Sequence, residues 1–550
     1  MDTFDFIIVG AGSAGCVLAN RLSADPSNRV LLLEAGGPDD RPLMAMPLAW
    51  RDTFLDPVVN WGFMSEPEPY LDGRQIPAPR GKVLGGSSSV NGMMYSRGYA
   101  VDYDHWRQLG LSGWGYADVL PYFRKSENNW RGEDLYHGAG GELTVSRHNP
   151  DKVIYPRLMQ TAERLGFKRL DDFHGAEAEG FSTPDFTVHQ GRRGSTSARF
   201  LAPVRGRANL KVETGALTHR VLIEQGRAVG VEFEQGGEVR RAMAGREVIL
   251  CGGAFNSPQL LLLSGVGPAD ELAAVGIRTV HHLPGVGKNL QDHASIAAMW
   301  AAKGEIGFDS KLRFDRLMLS VLQWRLFGTG EVAGLPVSAQ GFYRTRPELE
   351  WPDVQFLITP VSMAAKPWFP GWRKGVGHIF SAANVLLRPE SRGEVTLRSA
   401  DPRDKPKILF NLLQAQADRD TFRRMVRFGR RFFETEPASE LVSAQIAPGA
   451  EVQTDEEIDA FVRRSVGTAM HPTSTCAMGT GPEAVLDEAC RVRGLEGLRV
   501  VDASVMPTIV GGNTNAPVIM IAEKAADMIL GPAGARTGAG LVEAGHSPAN

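Results

Sequence analysis

Gly10, Gly12 and Gly15 form a G-x-G-x-x-G, and Glu34 follows nineteen residues beyond the last of them. These residue types at this spacing can hold a dinucleotide. Gly10 permits a tight turn, Gly12 lets the backbone approach a pyrophosphate, and Gly15 lets a helix lie close to a strand. A carboxylate at Glu34 can accept hydrogen bonds from a ribose diol, and it would repel a 2′-phosphate, which argues against NADP. Glycines at this spacing also occur in ordinary turns, so the flanking segments have to decide. Residues 5–9 are a short apolar strand-type run, 16–22 read as a helix, and 29–33 form a second apolar strand ending in Glu34. That is a βαβ unit, whose helix start offers free N–H groups and a positive dipole end to a diphosphate. Which dinucleotide binds is open at this point.

A second stretch, residues 80–95, packs Gly85 and Gly86 against three successive serines, Ser87, Ser88 and Ser89. Such a loop has many donors and little bulk, and suits a flat polar ring or a diphosphate. The alternative is a flexible surface linker, which Val90, Met93, Met94 and Tyr95 within the run make less fitting. Elsewhere single residues carry little. With 12 histidines in the chain, one beside a proline, such as His471, is more often structural. Four scattered cysteines, Cys16, Cys251, Cys476 and Cys490, are too few for a disulfide framework or a metal site.

Composition bounds the rest. A chain of 550 residues exceeds one ordinary domain. It is 43% hydrophobic and 22% charged, with a mean hydropathy of −0.17. A net charge of −3 gives no reason to expect nucleic acid as a partner. No apolar run reaches the ~18 residues of a membrane helix, which leaves peripheral membrane contact compatible. The first strand begins almost at Met1 with no leader-like stretch ahead of it, so the expected compartment is a reducing cytoplasm. Oligomeric state is not legible.

The expected fold is α/β: a Rossmann-like domain on a mainly parallel sheet, with a second α+β domain on an antiparallel sheet for the substrate. Residues 1–155, 206–300 and 466–530 are assigned to the first domain, 156–205 and 301–465 to the second, and 531–550 to a disordered tail. The second domain is suggested by aromatic-rich β-type alternation after residue 300. A basic amphipathic helix is expected over 419–434, and a final helix over 516–530.

The serine loop is similar to the first signature of the glucose–methanol–choline (GMC) flavoprotein oxidoreductases. Residues 253–267 (GAFNSPQLLLLSGVG) resemble the second signature, and 284–293 (PGVGKNLQDH) a further family segment. The resemblance runs to about residue 530, and is nearest to the bacterial choline dehydrogenase and alcohol dehydrogenase branch.

The resemblance implies FAD. It places the adenosine ribose on Glu34, the adenine side at Val212, and the isoalloxazine along Asn91, Gly92, Met93 and Met94. Further cofactor contacts are expected at Ser13, Ala14, Ala35, Trp61, Arg80, Val83, Gly85, Ser89, Asp502, Ala503, Asn513 and Thr514. Some relatives attach FAD through a histidine of the serine loop. Asn91 stands in that place here, so dissociable FAD is expected. His471, in a His-Pro-x-x-Thr-Cys-x-Met-Gly segment, resembles the catalytic histidine, and Asn515, 44 residues on, is expected to be its partner. Cys476 in that segment is read as structural.

The chemistry accounts for the pair. An alcohol is a poor hydride donor and its alkoxide a good one. Imidazole, with a reference pKa of ~6.5, suits the proton, and an amide can hold the substrate oxygen. The expected activity is oxidation of a neutral primary alcohol, with O2 or a quinone-like acceptor taking the electrons. Choline is disfavoured because Ser338 stands where choline-type relatives carry a glutamate. Tyr95, Met93, Phe342 and Trp368 are candidates for the substrate cavity, with core packing as the competing role. Three other readings are a light-driven fatty-acid decarboxylase of the same family, which lacks the histidine–asparagine pair, a non-catalytic flavin carrier, and an NAD-dependent dehydrogenase.

Overall fold

A computed structural model describes residues 2–531; nearly all of the segment expected to be a disordered tail lies outside them. The βαβ unit forms as its sequence predicts: β1 (Asp2–Val9), α1 (Ser13–Leu22) and β2 (Val30–Glu34). Both strands are apolar without alternation because a parallel sheet is covered on two faces; β2 is buried throughout. The sheet runs Leu210–Thr214, β2, β1, Glu238–Leu250, Arg227–Gln235, Ala216–Glu224, and Leu498–Val500 pairs alongside the end of Glu238–Leu250. Its first four strands are parallel and the last two make an antiparallel hairpin. Helix α1 lies against the C-terminal helix Asn515–Leu530, and the two are tied where Arg21 meets the buried Glu523. This core thus joins the two ends of the chain.

The second sheet is antiparallel, in the order Val442–Ala447, Ala294–Ala302, Ile379–Leu386, Val354–Thr359, Ala339–Tyr343, Gly180–Ser182. Helix Gln416–Glu434 covers it, placing Phe422, Met425, Val426, Phe432 and Phe433 in the second core. The domain boundaries drawn from sequence at 300 and 465 cut through this sheet. Strand Ala294–Ala302 starts ahead of 300, and Gly467–Thr468 pairs with its first residues. Small alanine-rich strands gave no composition change to mark the crossing.

Helix Phe314–Phe327 was not expected. Its inner and outer faces are both apolar, with Arg316, Gln323 and Arg325 on the flanks, so it lacks the single 3.6-residue stripe by which a surface helix is read. No helix among the described residues is long and apolar enough to cross a membrane.

Candidate active site

The two sheets meet around a cavity of about 850 Å³, near the upper end of the ~300–1,000 Å³ usual for ligand sites. The three glycines shape one end of it. Gly10 has φ +102°, and a Cβ there would sit 2.5 Å from the Cys251 carbonyl oxygen. A methyl on Gly15 would run into the Gly10 carbonyl, which is why the helix can press onto the strand. Gly86 folds back over the same turn, and its Cβ would lie 2.8 Å from the Gly12 Cα. The backbone can therefore approach a ligand closely at this end.

Three helix starts reach the cavity: Gly12–Ser13, Gly252–Gly253 and Thr514–Asn515. None is capped by the side chain of its own N-cap residue, and at Gly252–Gly253 the N–H groups are taken by Ser257 and Asp502. The uncapped N–H groups of the other two starts, with their positive dipole ends, suit an anionic ligand such as a diphosphate. At the end of β2, Glu34 accepts from the N–H of Ala11 at 2.9 Å and of Gly36 at 2.8 Å. Burial still pushes its pKa up to about 7, so the carboxylate is short of donors. A ribose diol would supply them. The donor set, the glycine cradle and the under-solvated carboxylate fit a flavin dinucleotide.

Along the wall lie Gly10, Gly12, Ser13, Ala14, Glu34, Ala35, Trp61, Arg80, Asn91, Gly92, Met93, Met94, His471, Asp502, Ala503, Asn513, Thr514 and Asn515. Gly15, Val83, Gly85, Ser89 and Val212 are not in it. Val83 packs with Met44, Val59 and Val90. Gly85 donates its N–H to Ala11 at 2.7 Å, and Ser89 its hydroxyl to Leu84 at 2.7 Å, so both frame the loop from behind. Val212 pairs with Leu32 inside the sheet; the wall there is Gly215, Ala216, Leu217 and Thr218, just past the strand end. Asp502 reaches the wall with its oxygens already engaged by Gly253, Ser257 and Ser504, so it fixes a helix start.

At the other end sits His471. Its backbone N–H donates to Asp292 at 2.8 Å, its Nδ1 is 3.0 Å from Nδ1 of His293, and its Nε2 is 3.1 Å from the Asn513 amide nitrogen. The amide orientation is fixed from the far side, where Gln355 donates to the Asn513 oxygen at 3.4 Å. Asn513 therefore donates to Nε2, and Nε2 carries the lone pair. Burial, then the neighbouring His293 and Arg80, holds the His471 pKa well below the imidazole range. It is a neutral base.

This corrects the expected pairing. Asn515 does not reach His471; its side-chain oxygen accepts from Ser13 at 2.8 Å and ties the C-terminal helix to the start of α1. Asn513 is the partner. The sequence offered both asparagines two residues apart and no signal to choose between them.

Several site residues carried no such signal. His293 is fully buried with its pKa lowered to about 3. Arg193, also buried, donates to the Asn91 carbonyl at 2.6 Å and its side-chain oxygen at 2.9 Å, holding the serine loop from beneath. Arg80, expected from sequence as a cofactor contact, lines the cavity and donates to the Met470 carbonyl at 2.7 Å, next to the histidine. The substrate-side wall comes from three strands in register, Ser295↔Val385↔Gln355 and Ala383↔Leu357, with Trp50, Phe54 and Phe63.

Of the four residues considered for the substrate cavity, only Met93 lines it. Tyr95 is buried on Glu127 and Arg97, Phe342 packs with Tyr99 and Phe173, and Trp368 bonds Asp309. Ser338 is buried ahead of strand Ala339–Tyr343, away from this wall. All four cysteines are buried and unpaired.

Family models for GMC oxidoreductase match residues 4–295 and 389–522. The chain belongs to the GMC oxidoreductase family. It is 44% identical over 540 residues to the mitochondrial choline dehydrogenase of Mus musculus, covering 96% of this chain and 90% of that protein. To the oxygen-dependent choline dehydrogenase of Brucella ovis it is 44% identical over 530 residues, covering 96% and 95%. Among solved structures, a variant of Aspergillus oryzae formate oxidase superposes with a TM-score of 0.88 at 29% identity, covering 96% of this chain and 98% of that one. Pyridoxine 4-oxidase from Mesorbium loti gives 0.85 at 30%, covering 95% and 98%. This GMC protein is an FAD-dependent alcohol oxidoreductase with a mixed α/β fold.

Proposed function

We propose that the protein oxidises a neutral primary alcohol to its aldehyde, with His471 as proton acceptor and Asn513 as the group that holds the substrate oxygen. The observation that carries this reading is the Asn513 amide beside the unprotonated Nε2 of a buried histidine. FAD, when bound, supplies the acceptor for the hydride that leaves the carbinol carbon. The residues do the rest. A hydroxyl entering between Nε2 and the Asn513 amide gives its proton to Nε2 and takes a hydrogen bond from the amide. His293, at His471 Nδ1, keeps the ring turned so that Nε2 faces the cavity. The apolar wall of Leu357, Val385, Met93 and Phe54 excludes water from the forming alkoxide and fits an apolar substrate body.

Specificity for a neutral substrate is supported by the acids of the wall. Glu34, Glu234, Asp404 and Asp502 each have partners already, respectively backbone N–H groups, Arg403, Ser399, and Ser257 with Ser504. None of these four touches His471, and Asp292, which does, is occupied by the His471 backbone N–H and the Thr468 hydroxyl. A second reading, choline itself, is favoured by the choline dehydrogenases among the relatives and by the Trp50 and Phe54 faces, which can attract a quaternary ammonium. The cofactor is held without a covalent bond, since the serine loop offers Asn91 and no histidine.

The deciding experiment is anaerobic mixing of the FAD-loaded protein with aliphatic and aromatic primary alcohols and with choline, following flavin bleaching. Reoxidation by O2 against a quinone then identifies the acceptor. Bleaching by uncharged alcohols at rates above those with choline is expected. Bleaching by choline alone would replace the first reading with the second, and no bleaching by any alcohol would reject both.

A further inference from the structure

Helix Phe314–Phe327 lies on the outside of the molecule yet is apolar on both faces. Its inner face, Leu317, Val321 and Trp324, packs on Met46, Ala49 and Val332. Its outer face presents Met318, Leu319, Leu322 and Leu326 at successive helical turns, with Leu319 69% and the terminal Phe327 73% exposed. Single exposed leucines are ordinary; a continuous stripe marks an interaction surface.

A second segment extends the stripe. Phe314 meets Trp372 edge-on at 6.3 Å, and Trp372 is 61% exposed beside the exposed Phe369. Residues 361–378 contain Lys366, Arg373 and Lys374, all exposed, and no acid. On the helix, Arg316 and Arg325 are exposed, while Asp315 is neutralised by Arg313 at 2.6 Å. In a chain of net charge −3 this is a local concentration of positive charge around aromatic and aliphatic side chains.

We propose that this face docks on an anionic lipid bilayer, with helix Phe314–Phe327 lying in the headgroup boundary and Trp372 anchoring beside it. Apolar side chains ringed by Lys and Arg, with Trp and Phe at the edge, match an interfacial helix. Fourteen residues span only ~21 Å, short of the ~30 Å hydrocarbon core, so the helix lies in the surface and does not cross it. Self-association through a two-fold contact would set these cations against their own copies, which disfavours a second chain as the occupant. The residues under the helix, Met46 to Ala49, lead directly into Trp50 and Phe54 of the cavity wall. Docking holds that wall next to the lipid. The inference goes beyond the alcohol-oxidation reading and stands or falls separately from it.

The test is flotation of the FAD-loaded protein with vesicles of phosphatidylcholine alone and of phosphatidylcholine with phosphatidylglycerol. The protein is expected to float with the anionic vesicles, less with the neutral ones, and less at high salt. The double variant Leu319→Gln/Leu326→Gln is expected to lose at least ~10-fold in partition, and Arg373→Glu/Lys374→Glu to lose the preference for anionic lipid. These positions are exposed, and an unchanged flavin spectrum and thermal midpoint show that the variants fold. Wild-type protein left unbound by both vesicle types overturns the proposal, as does a leucine variant that floats like wild type. A dimer in sedimentation velocity that the leucine variant splits would assign the face to a second copy instead.

Discussion

The pairing of His471 with Asn513 and not Asn515 can be tested by two alanine substitutions two residues apart. Asn513→Ala removes the donor at Nε2 and leaves the Gln355 amide facing a gap. A donor to a group that becomes charged contributes ~1.5–3 kcal/mol, and loss of one oxyanion-stabilising donor costs ~10²–10³ in rate. Flavin reduction should therefore slow by about 100-fold. Asn515→Ala loses only the bond from Ser13 at 2.8 Å, a neutral pair worth ~0.5–1.5 kcal/mol. That bond joins two helix starts and does not touch the reacting oxygen, so the reduction rate should stay within ~3-fold of wild type while FAD affinity falls slightly. Anaerobic stopped-flow bleaching at saturating alcohol separates reduction from binding. A slow Asn515→Ala with a near-normal Asn513→Ala would refute the assignment and restore the pairing expected from sequence.

His471→Ala should lose at least ~100-fold in flavin reduction with FAD still bound. Because the His471 pKa lies below the usual imidazole range, the base is already neutral at pH ~6.5; wild-type reduction should be flat from there to pH ~8 and fall only on further acidification. A wild-type rate that climbs steeply with pH from ~7 to ~8 would contradict that protonation state. Glu34→Gln puts an amide NH2 against one of the two N–H donors of Ala11 and Gly36, and weakens the ribose contact. FAD affinity, read by titrating apoprotein, should drop by about 2 kcal/mol, ~30-fold, and an unchanged affinity would remove Glu34 from the ribose. Far from the cavity, burial opposes charge on His137, yet hydrogen bonds to Asp172 and Glu127 raise its pKa to about 9. With an unfolded value near 6.5, its contribution is fully present below that pH and is lost as pH rises through ~9, on the order of 3 kcal/mol. Thermal midpoints of wild type against His137→Gln should converge over that window; a constant gap would show that no proton is involved.

Short-range spacing made much of the protein legible. The G-x-G-x-x-G fixed β1, α1 and β2 because Gly10 and Gly15 each answer a clash within a few residues or with the adjoining strand. Glu34 and the serine loop follow from the same local logic, as does helix Gln416–Glu434, whose apolar stripe is periodic. Helix Phe314–Phe327 was missed because apolar residues on both its inner and outer faces set no single stripe, the same property that makes its outer face a docking surface.

The site's identity was decided by tertiary structure. Asn513 lies before the helix cap and Asn515 is the first helical residue, so a change in backbone direction sends one side chain to His471 and the other to Ser13. Sequence counts the two positions between them and cannot see that turn. Val212 lies within a strand and gives up the wall to residues after its end, which depends on where the sheet stops. His293 and Asp292 come 178 and 179 residues before the histidine they hold, and no local pattern links them. Residue types and spacing along the chain determined which cofactor half could be held and that a histidine was available. Which groups surround that histidine was settled by the meeting of two sheets, since contact across a cavity depends on side-chain direction.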